Sequence, residues 1–120
     1  MAAAALRILV IEDHAPLGRF ITAVLSSQGW AVVGPLSDHA SALDLARRLP
    51  LDLGLMDRTL RGEETLAIAD TLAERGIPSL LISGYQRSTL PGHFRDFPFL
   101  EKPFTMDALV NAVRAAVGGG

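Results

Sequence analysis

Glu12, Asp13, Asp57, Ser83 and Lys102 are side chains of chemically useful types, and each stands at the end of a short apolar run. Three carboxylates brought to one crevice repel one another, and a hard divalent cation relieves that repulsion. Mg²⁺ takes oxygen ligands, retains several waters and is commonly held by one or two carboxylates together with a phosphate. On this reading Asp13 and Asp57 are direct ligands, Glu12 acts through water, and the Thr59 carbonyl completes the protein's share. The Ser83 hydroxyl and the compact cation of Lys102 suit phosphoryl oxygens. With a metal beside it, the Asp57 carboxylate can attack phosphorus and form an aspartyl phosphate.

These groups meet only if the apolar runs are neighbouring strands. Leu6 to Ile11, Trp30 to Val33, Leu51 to Met56, Ile77 to Ile82 and Phe97 to Leu100 read as short strands buried on both faces. Between them lie helical patterns: Leu17, Phe20, Ile21, Val24 and Leu25, then Leu43, Leu45, Ala46 and Leu49 behind a Ser37 or Asp38 cap. A third helix is expected to open at Gly62 and run through Leu66, Ile68, Ala69 and Leu72. A last one, capped by Thr105, carries Leu109, Val110, Val113 and Val117. Residues 86–96 hold Pro91 and Gly92, with Leu90 and Phe94 as core anchors, so the fourth helix is expected to be irregular or shortened.

Five strands alternating with helices predict a parallel sheet with right-handed crossovers and helices on both faces, and the fold is taken as the flavodoxin-like, doubly wound α/β class with the five-stranded order 2-1-3-4-5. In such sheets functional groups gather beyond the carboxyl ends of the strands, where strand order reverses. Here that point lies between strands one and three, which end on Glu12 and Asp13 and on Asp57.

The chain's 120 residues suit one domain, with an ordered core over about 6–117 and a glycine tail at 118–120. There is no Cys, which removes disulfides, thiolate metal sites and a cysteine nucleophile and makes a reducing cytoplasm the natural setting. Residues 1–5 are small and apolar but lack a basic leader, and no apolar run reaches the roughly 20 residues that span a bilayer. With a net charge of −2 and scattered basic residues, direct nucleic-acid binding has no support.

Four motifs stand in order at strand ends: Val-Ile-Glu-Asp at 10–13, Leu-Met-Asp at 55–57, Ile-Ser-Gly at 82–84 and Glu-Lys-Pro-Phe at 101–104. Together they make the sequence resemble a receiver domain of two-component response regulators from Leu6 to Val117. The resemblance implies that Asp57 is the phosphoacceptor, Glu12 and Asp13 the acidic pair for Mg²⁺, Ser83 the switch hydroxyl and Lys102 the phosphate contact. It makes Pro103 a cis-proline candidate, and Phe99, together with Tyr85, a switch aromatic. It also implies a histidine kinase or histidine phosphotransfer protein as donor and a downstream protein partner. The only catalysis implied is of the domain's own phosphorylation and dephosphorylation. Pro78 and Leu-Ile-Ser-Gly-Tyr at 81–85 resemble the single-domain receivers nicknamed FAT GUY, which have an unusual fourth helix. Many receivers carry Met-Pro shortly after the acceptor, whereas this chain has Thr59, Leu60 and Arg61.

Taken singly, each group has a plainer reading: Asp13 as a helix cap, Asp57 or Ser83 as turn residues, Lys102 and Pro103 as loop punctuation, Phe99 as core. His14 is expected to face solvent, and Arg58 and Arg61 are read as solvated charges that can steer a donor. A phosphorylation-independent receiver-like interaction module is the main alternative. A phosphohydrolase would want a second acid where Thr59 stands, and a flavin or nucleotide site would want a glycine-rich loop after the first strand.

Overall fold

Strand β1 (Arg7–Ile11) is buried after its first residue, with Ile8 and Val10 in one hydrophobic cluster and Leu9 and Ile11 in the other. That two-sided burial organises the molecule, whose computed structural model describes residues 5–118. Residues 1–4, and Gly119 and Gly120 of the expected tail, lie outside the described residues. Helices α1 (Ala15–Ser27) and α4 (Met106–Val117) cover the Ile8 face, with Ile21, Val24, Leu25, Leu109, Val110 and Val113 buried. Helices α2 (His39–Arg48) and α3 (Leu66–Glu74) cover the Leu9 face with Ala42, Ala46, Ile68, Ala69 and Leu72.

The remaining strands of the sheet are β2 (Ala31–Leu36), β3 (Leu53–Asp57), β6 (Ser79–Ser83) and β7 (Phe99–Glu101), and every pairing is parallel. The order β2-β1-β3-β6-β7 is the expected 2-1-3-4-5, because β6 and β7 are the fourth and fifth strands of the alternation. β3, β6 and β7 each begin two residues later and end one residue later than the apolar runs suggest. The ladder registers decide this, pairing Asp57 with Ile82 and Ser83 with Glu101. Asp57 and Ser83 are therefore the last residues of their strands.

Two local features depart from the expectations, and a third carries an expected irregularity further. β2 does not close at Gly34 and Pro35 but continues to Leu36 through a cis Gly34–Pro35 peptide and a register shift against β1. Gly34 has φ 114°, and a Cβ there would lie 2.5 Å from the Val10 carbonyl, so only glycine fits. The extension lets the Leu36 carbonyl accept the Glu12 amide at 2.9 Å. Second, Gly62 does not open α3. Arg61 (φ 51°) and Gly62 (φ 81°) form the turn of a two-stranded hairpin, β4 (Thr59–Leu60) against β5 (Glu63–Glu64), and α3 starts at Leu66. Positive φ at both central residues is the turn geometry that two-residue hairpins favour.

Third, residues 85–98 contain no α-helix. Two short 3₁₀ turns, Arg87–Thr89 and Gly92–Asp96, take the place of the fourth helix. Leu90 and Phe94 are buried as expected, but arginines serve the carbonyls that a helix would satisfy internally. Arg87 donates to the carbonyls of Arg95 and Phe97, Arg95 to that of Leu90, and Arg58 to that of Thr89. The expected caps do form, with Asp38 accepting the Ser41 amide and Thr105 accepting the Ala108 amide.

Candidate functional site

Glu12 leaves β1 already buried, at 3% exposure. Its Oε2 accepts the His14 amide at 3.0 Å, while its Oε1 has no hydrogen-bond partner and lies 3.8 Å from Lys102 Nζ. Asp13, exposed at the start of the β1–α1 loop, accepts the Arg61 amide on Oδ2 at 2.8 Å. Asp57 ends β3 with its carboxylate held on both sides: Oδ1 accepts the Thr59 amide at 3.0 Å, and Oδ2 is ion-paired with Lys102 Nζ. One carboxylate oxygen from each of Glu12, Asp13 and Asp57 lies within 4.8 Å of the others.

The sheet explains this meeting. β1 and β3 are adjacent and in register from Ile8–Leu53 to Ile11–Met56, so their next residues emerge side by side. Lys102 follows β7, two strands from β3, and its long stem spans the gap past β6. Its amide donates to the Ser83 carbonyl at 2.8 Å, and the Lys102–Pro103 peptide is cis, as expected at Pro103. Thr59 pairs with Glu64 across the hairpin, while the flanking Arg58 carbonyl accepts the Thr65 amide at 2.8 Å. In the antiparallel alternation that makes Thr59 a non-hydrogen-bonded position, with its carbonyl outside the ladder.

Burial pushes the Glu12 carboxyl above its ordinary value, and the nearby charges of Asp57 and Asp13 push the same way. The His14 amide and the Lys102 ammonium oppose the rise. A buried carboxylate with one oxygen unpartnered, beside two more acids, is a donor set short of positive charge. Lys102 cannot serve all three acids, because it is engaged with Asp57. The residues therefore fit a hard cation with oxygen ligands.

The other expected residues are distributed unevenly. Ser83 is buried, and its Oγ accepts the Tyr85 amide at 3.0 Å. Tyr85 itself is 71% exposed. Phe99 is half-buried against the α2/α3 cluster, with the Arg87 guanidinium 5.2 Å from its ring centroid. His14 is exposed. Of the two arginines after Asp57, Arg58 is not a free solvated charge, while Arg61 is exposed as expected but tied to a neighbouring loop. Arg58, with a side chain only 14% exposed, donates to Thr89 Oγ1 (2.7 Å) and the Thr89 carbonyl (3.2 Å) and pairs with Glu64 (3.3 Å). Arg61 Nε donates to the Ser37 carbonyl at 2.7 Å. Sequence reasoning passed over Thr65, which is fully buried and donates to the Asp57 carbonyl at 2.7 Å, fixing the backbone that carries the acid. Its position just before an apolar periodic run makes it look like an ordinary helix cap, yet its hydroxyl makes no cap bond.

The sequence profile of the response regulator receiver domain matches residues 8–114. The chain belongs to that family. Among curated proteins it is similar to the transcriptional regulatory protein PdtaR of Mycobacterium tuberculosis, at 28% identity over 97% of this chain and 58% of PdtaR. The chain thus spans little more than half of that relative's length. Among solved structures it resembles SdrG from Sphingomonas melonis Fr1, with a TM-score of 0.84 and 32% identity over 97% of this chain and 99% of SdrG. A BeF3-activated conformation of SdrG superposes with a TM-score of 0.79. The receiver domain of a sensor histidine kinase from Pseudomonas aeruginosa PAO1, solved with magnesium in its active-site cleft, matches with a TM-score of 0.75. The identity there is 25%, over 96% of this chain and 99% of that domain. Among the described residues, no helix is long and apolar enough to cross a membrane.

Proposed function

We propose that this receiver domain takes a phosphoryl group onto Asp57 from the phosphohistidine of a histidine kinase or histidine phosphotransfer protein. The observation that carries the reading is the Asp57 carboxylate paired with Lys102 inside a ring of acids that includes the half-satisfied, buried Glu12. Glu12, Asp13 and Asp57, with the Thr59 carbonyl, would hold Mg²⁺, as magnesium occupies the cleft of the Pseudomonas receiver. The bound ion would neutralise carboxylate and phosphoryl charge. The Thr59 amide and the Thr65 hydroxyl fix the acceptor and its backbone, so that one Asp57 oxygen faces the incoming phosphorus. The Asp57 O–P bond forms as the donor's N–P bond breaks, and the histidine nitrogen leaves with its electron pair.

The phosphoryl group brings about −1.5 to −2 charge and several acceptor oxygens. Lys102 transfers its contact from Asp57 Oδ2 to those oxygens, and the Ser83 hydroxyl donates to one of them. Ser83 Oγ also holds the Tyr85 amide, so its movement pulls on the segment that follows β6. Phe99, beneath Arg87, and exposed Tyr85 are the aromatics this movement would reach, and a downstream protein partner would read the changed surface. The activated conformation known for SdrG supports a switch of this kind. In this reading residues 6–117 act as a single cytoplasmic receiver module whose only catalysis is of its own phosphorylation and dephosphorylation.

The test is labelling by radioactive acetyl phosphate. Mg²⁺-dependent, acid-stable and base-labile label is expected in the native chain and none in Asp57→Asn. Equal label in Asp57→Asn would move the acceptor elsewhere, and no label in either would favour a phosphorylation-independent interaction module.

A further inference from the structure

Three loops at the carboxyl edge of the sheet meet at one residue. Arg61 sits at the tip of the β4–β5 hairpin, where its amide donates to Asp13 Oδ2 across 48 residues of sequence. Its guanidinium reaches the opposite way, with Nε 2.7 Å from the Ser37 carbonyl and a terminal nitrogen 3.4 Å from Ser37 Oγ, in the loop between β2 and α2. Arg61 is also the one non-glycine residue of the described chain with positive φ, at 51°. A non-glycine residue in that region costs about 1 kcal/mol, so the hairpin tip needs an outside restraint to keep this shape.

The guanidinium supplies that restraint. A planar fork that engages one residue through two nitrogens fixes direction as well as distance. With the hairpin tied to Ser37, the Arg61 amide is aimed at Asp13, the most exposed of the three acids and otherwise free to swing into solvent. We propose that Arg61 is a positioning residue for the cation site: by tethering the hairpin to Ser37 it holds its own amide on Asp13 Oδ2 and keeps that carboxylate turned toward Glu12 and Asp57. The inference rests on the reading that these three acids hold Mg²⁺. Partners that orient a metal's ligands typically change affinity by about 10- to 100-fold. Arg61 acts through its backbone and through one ligand, so the low end applies.

Arg61→Gly is the informative variant, because glycine accepts φ 51° without strain and keeps the amide while deleting the tether. Three chains are compared by amide NMR: native, Arg61→Gly and, as a control for the loss of a surface arginine, Arg47→Ala. Titration with MgCl₂ alone gives the dissociation constant, and hydrogen exchange gives the protection of the residue 61 amide. Arg61→Gly should raise the Mg²⁺ dissociation constant about 10-fold and lose protection at residue 61, with unchanged amide dispersion elsewhere. Arg47→Ala should match the native chain. The residue 61 amide should also lose its protection in Asp13→Ala, which removes the acceptor.

A dissociation constant within twofold of native in Arg61→Gly, with the residue 61 amide still protected, would overturn the proposal. So would an unprotected residue 61 amide in the native chain. If the native chain bound no Mg²⁺, the cation reading would fall by that result alone. Exchange at residue 61 would still report independently whether the tether holds the hairpin on Asp13.

Discussion

Replacing Glu12 with glutamine should make the metal-free protein more stable and the Mg²⁺-bound protein less so. Glu12 is 3% exposed, one carboxylate oxygen has no hydrogen bond, and the nearest cation, 3.8 Å away, is already paired with Asp57. Glutamine removes the charge, which is buried with incomplete pairing and repelled by Asp57 and Asp13; for an unsatisfied buried group such a cost is about 1–3 kcal/mol. Part of that is offset by Lys102 and by the His14 amide, which a glutamine carbonyl can still accept. The expected net gain for Glu12→Gln without metal is about 1 kcal/mol, or a rise in melting temperature of about 4 °C for a chain of this size.

The direction of the Glu12 shift sets the pH window. Its folded pKa lies above the ordinary 4.5, so the native state holds its proton more tightly than the unfolded chain. The associated stability is fully present below 4.5 and is lost as pH rises through the elevated folded value. The gain from Glu12→Gln should therefore be absent at pH 4 and present at pH 7.5. In saturating Mg²⁺ the order reverses: a ligand at 100 times its dissociation constant adds about 2.7 kcal/mol, which the native chain collects and the variant largely forgoes. Denaturation with EDTA and with MgCl₂, at both pH values, reads all four quantities. A Glu12→Gln protein less stable than native in EDTA at pH 7.5 would refute the reasoning, because it would mean the buried carboxylate is fully satisfied without metal.

Arg58→Ala removes the donor that holds Thr89 and should cost about 1–2 kcal/mol, with faster amide exchange concentrated in residues 87–96. Global exchange of the β1 and β3 amides at the same raised rate would show that Arg58 is not a local clamp. Leu90→Ala empties a fully buried position in a segment that has only Leu90 and Phe94 in the core, and should cost about 2–4 kcal/mol in urea denaturation. A cost below about 1 kcal/mol would indicate that this segment docks through its arginines rather than its apolar anchors.

The strands and helices of the sheet were legible because two-sided burial leaves continuous aliphatic runs and amphipathic helices leave 3.6-residue spacing. Even the missing fourth helix was foreshadowed by Pro91 and Gly92. The three features that escaped share a cause. The continuation of β2 through Gly34 and Pro35 depends on room beside the Val10 carbonyl, and that strand lies elsewhere in the chain. The β4–β5 hairpin uses Arg-Gly, which lacks the usual Asn or Asp signal, and is held by contacts to Asp13 and Ser37. Thr65 looks like a helix cap until its hydroxyl is found on the Asp57 carbonyl.

By itself the sequence determined that three acids, a hydroxyl and a lysine would end the strands of one parallel sheet, because the β-α alternation and two-sided burial dictate parallel strands with right-handed crossovers. Only the tertiary structure decided what surrounds them. It left Glu12 with one bare oxygen, tied Asp57 to Lys102, drew Arg58 in as a clamp on Thr89 and bonded the exposed Arg61 to Ser37. Those outcomes are set by distances between groups 24 to 48 residues apart in sequence. Local periodicity carries no information about them, because it reports which face a residue takes and not which partner waits there.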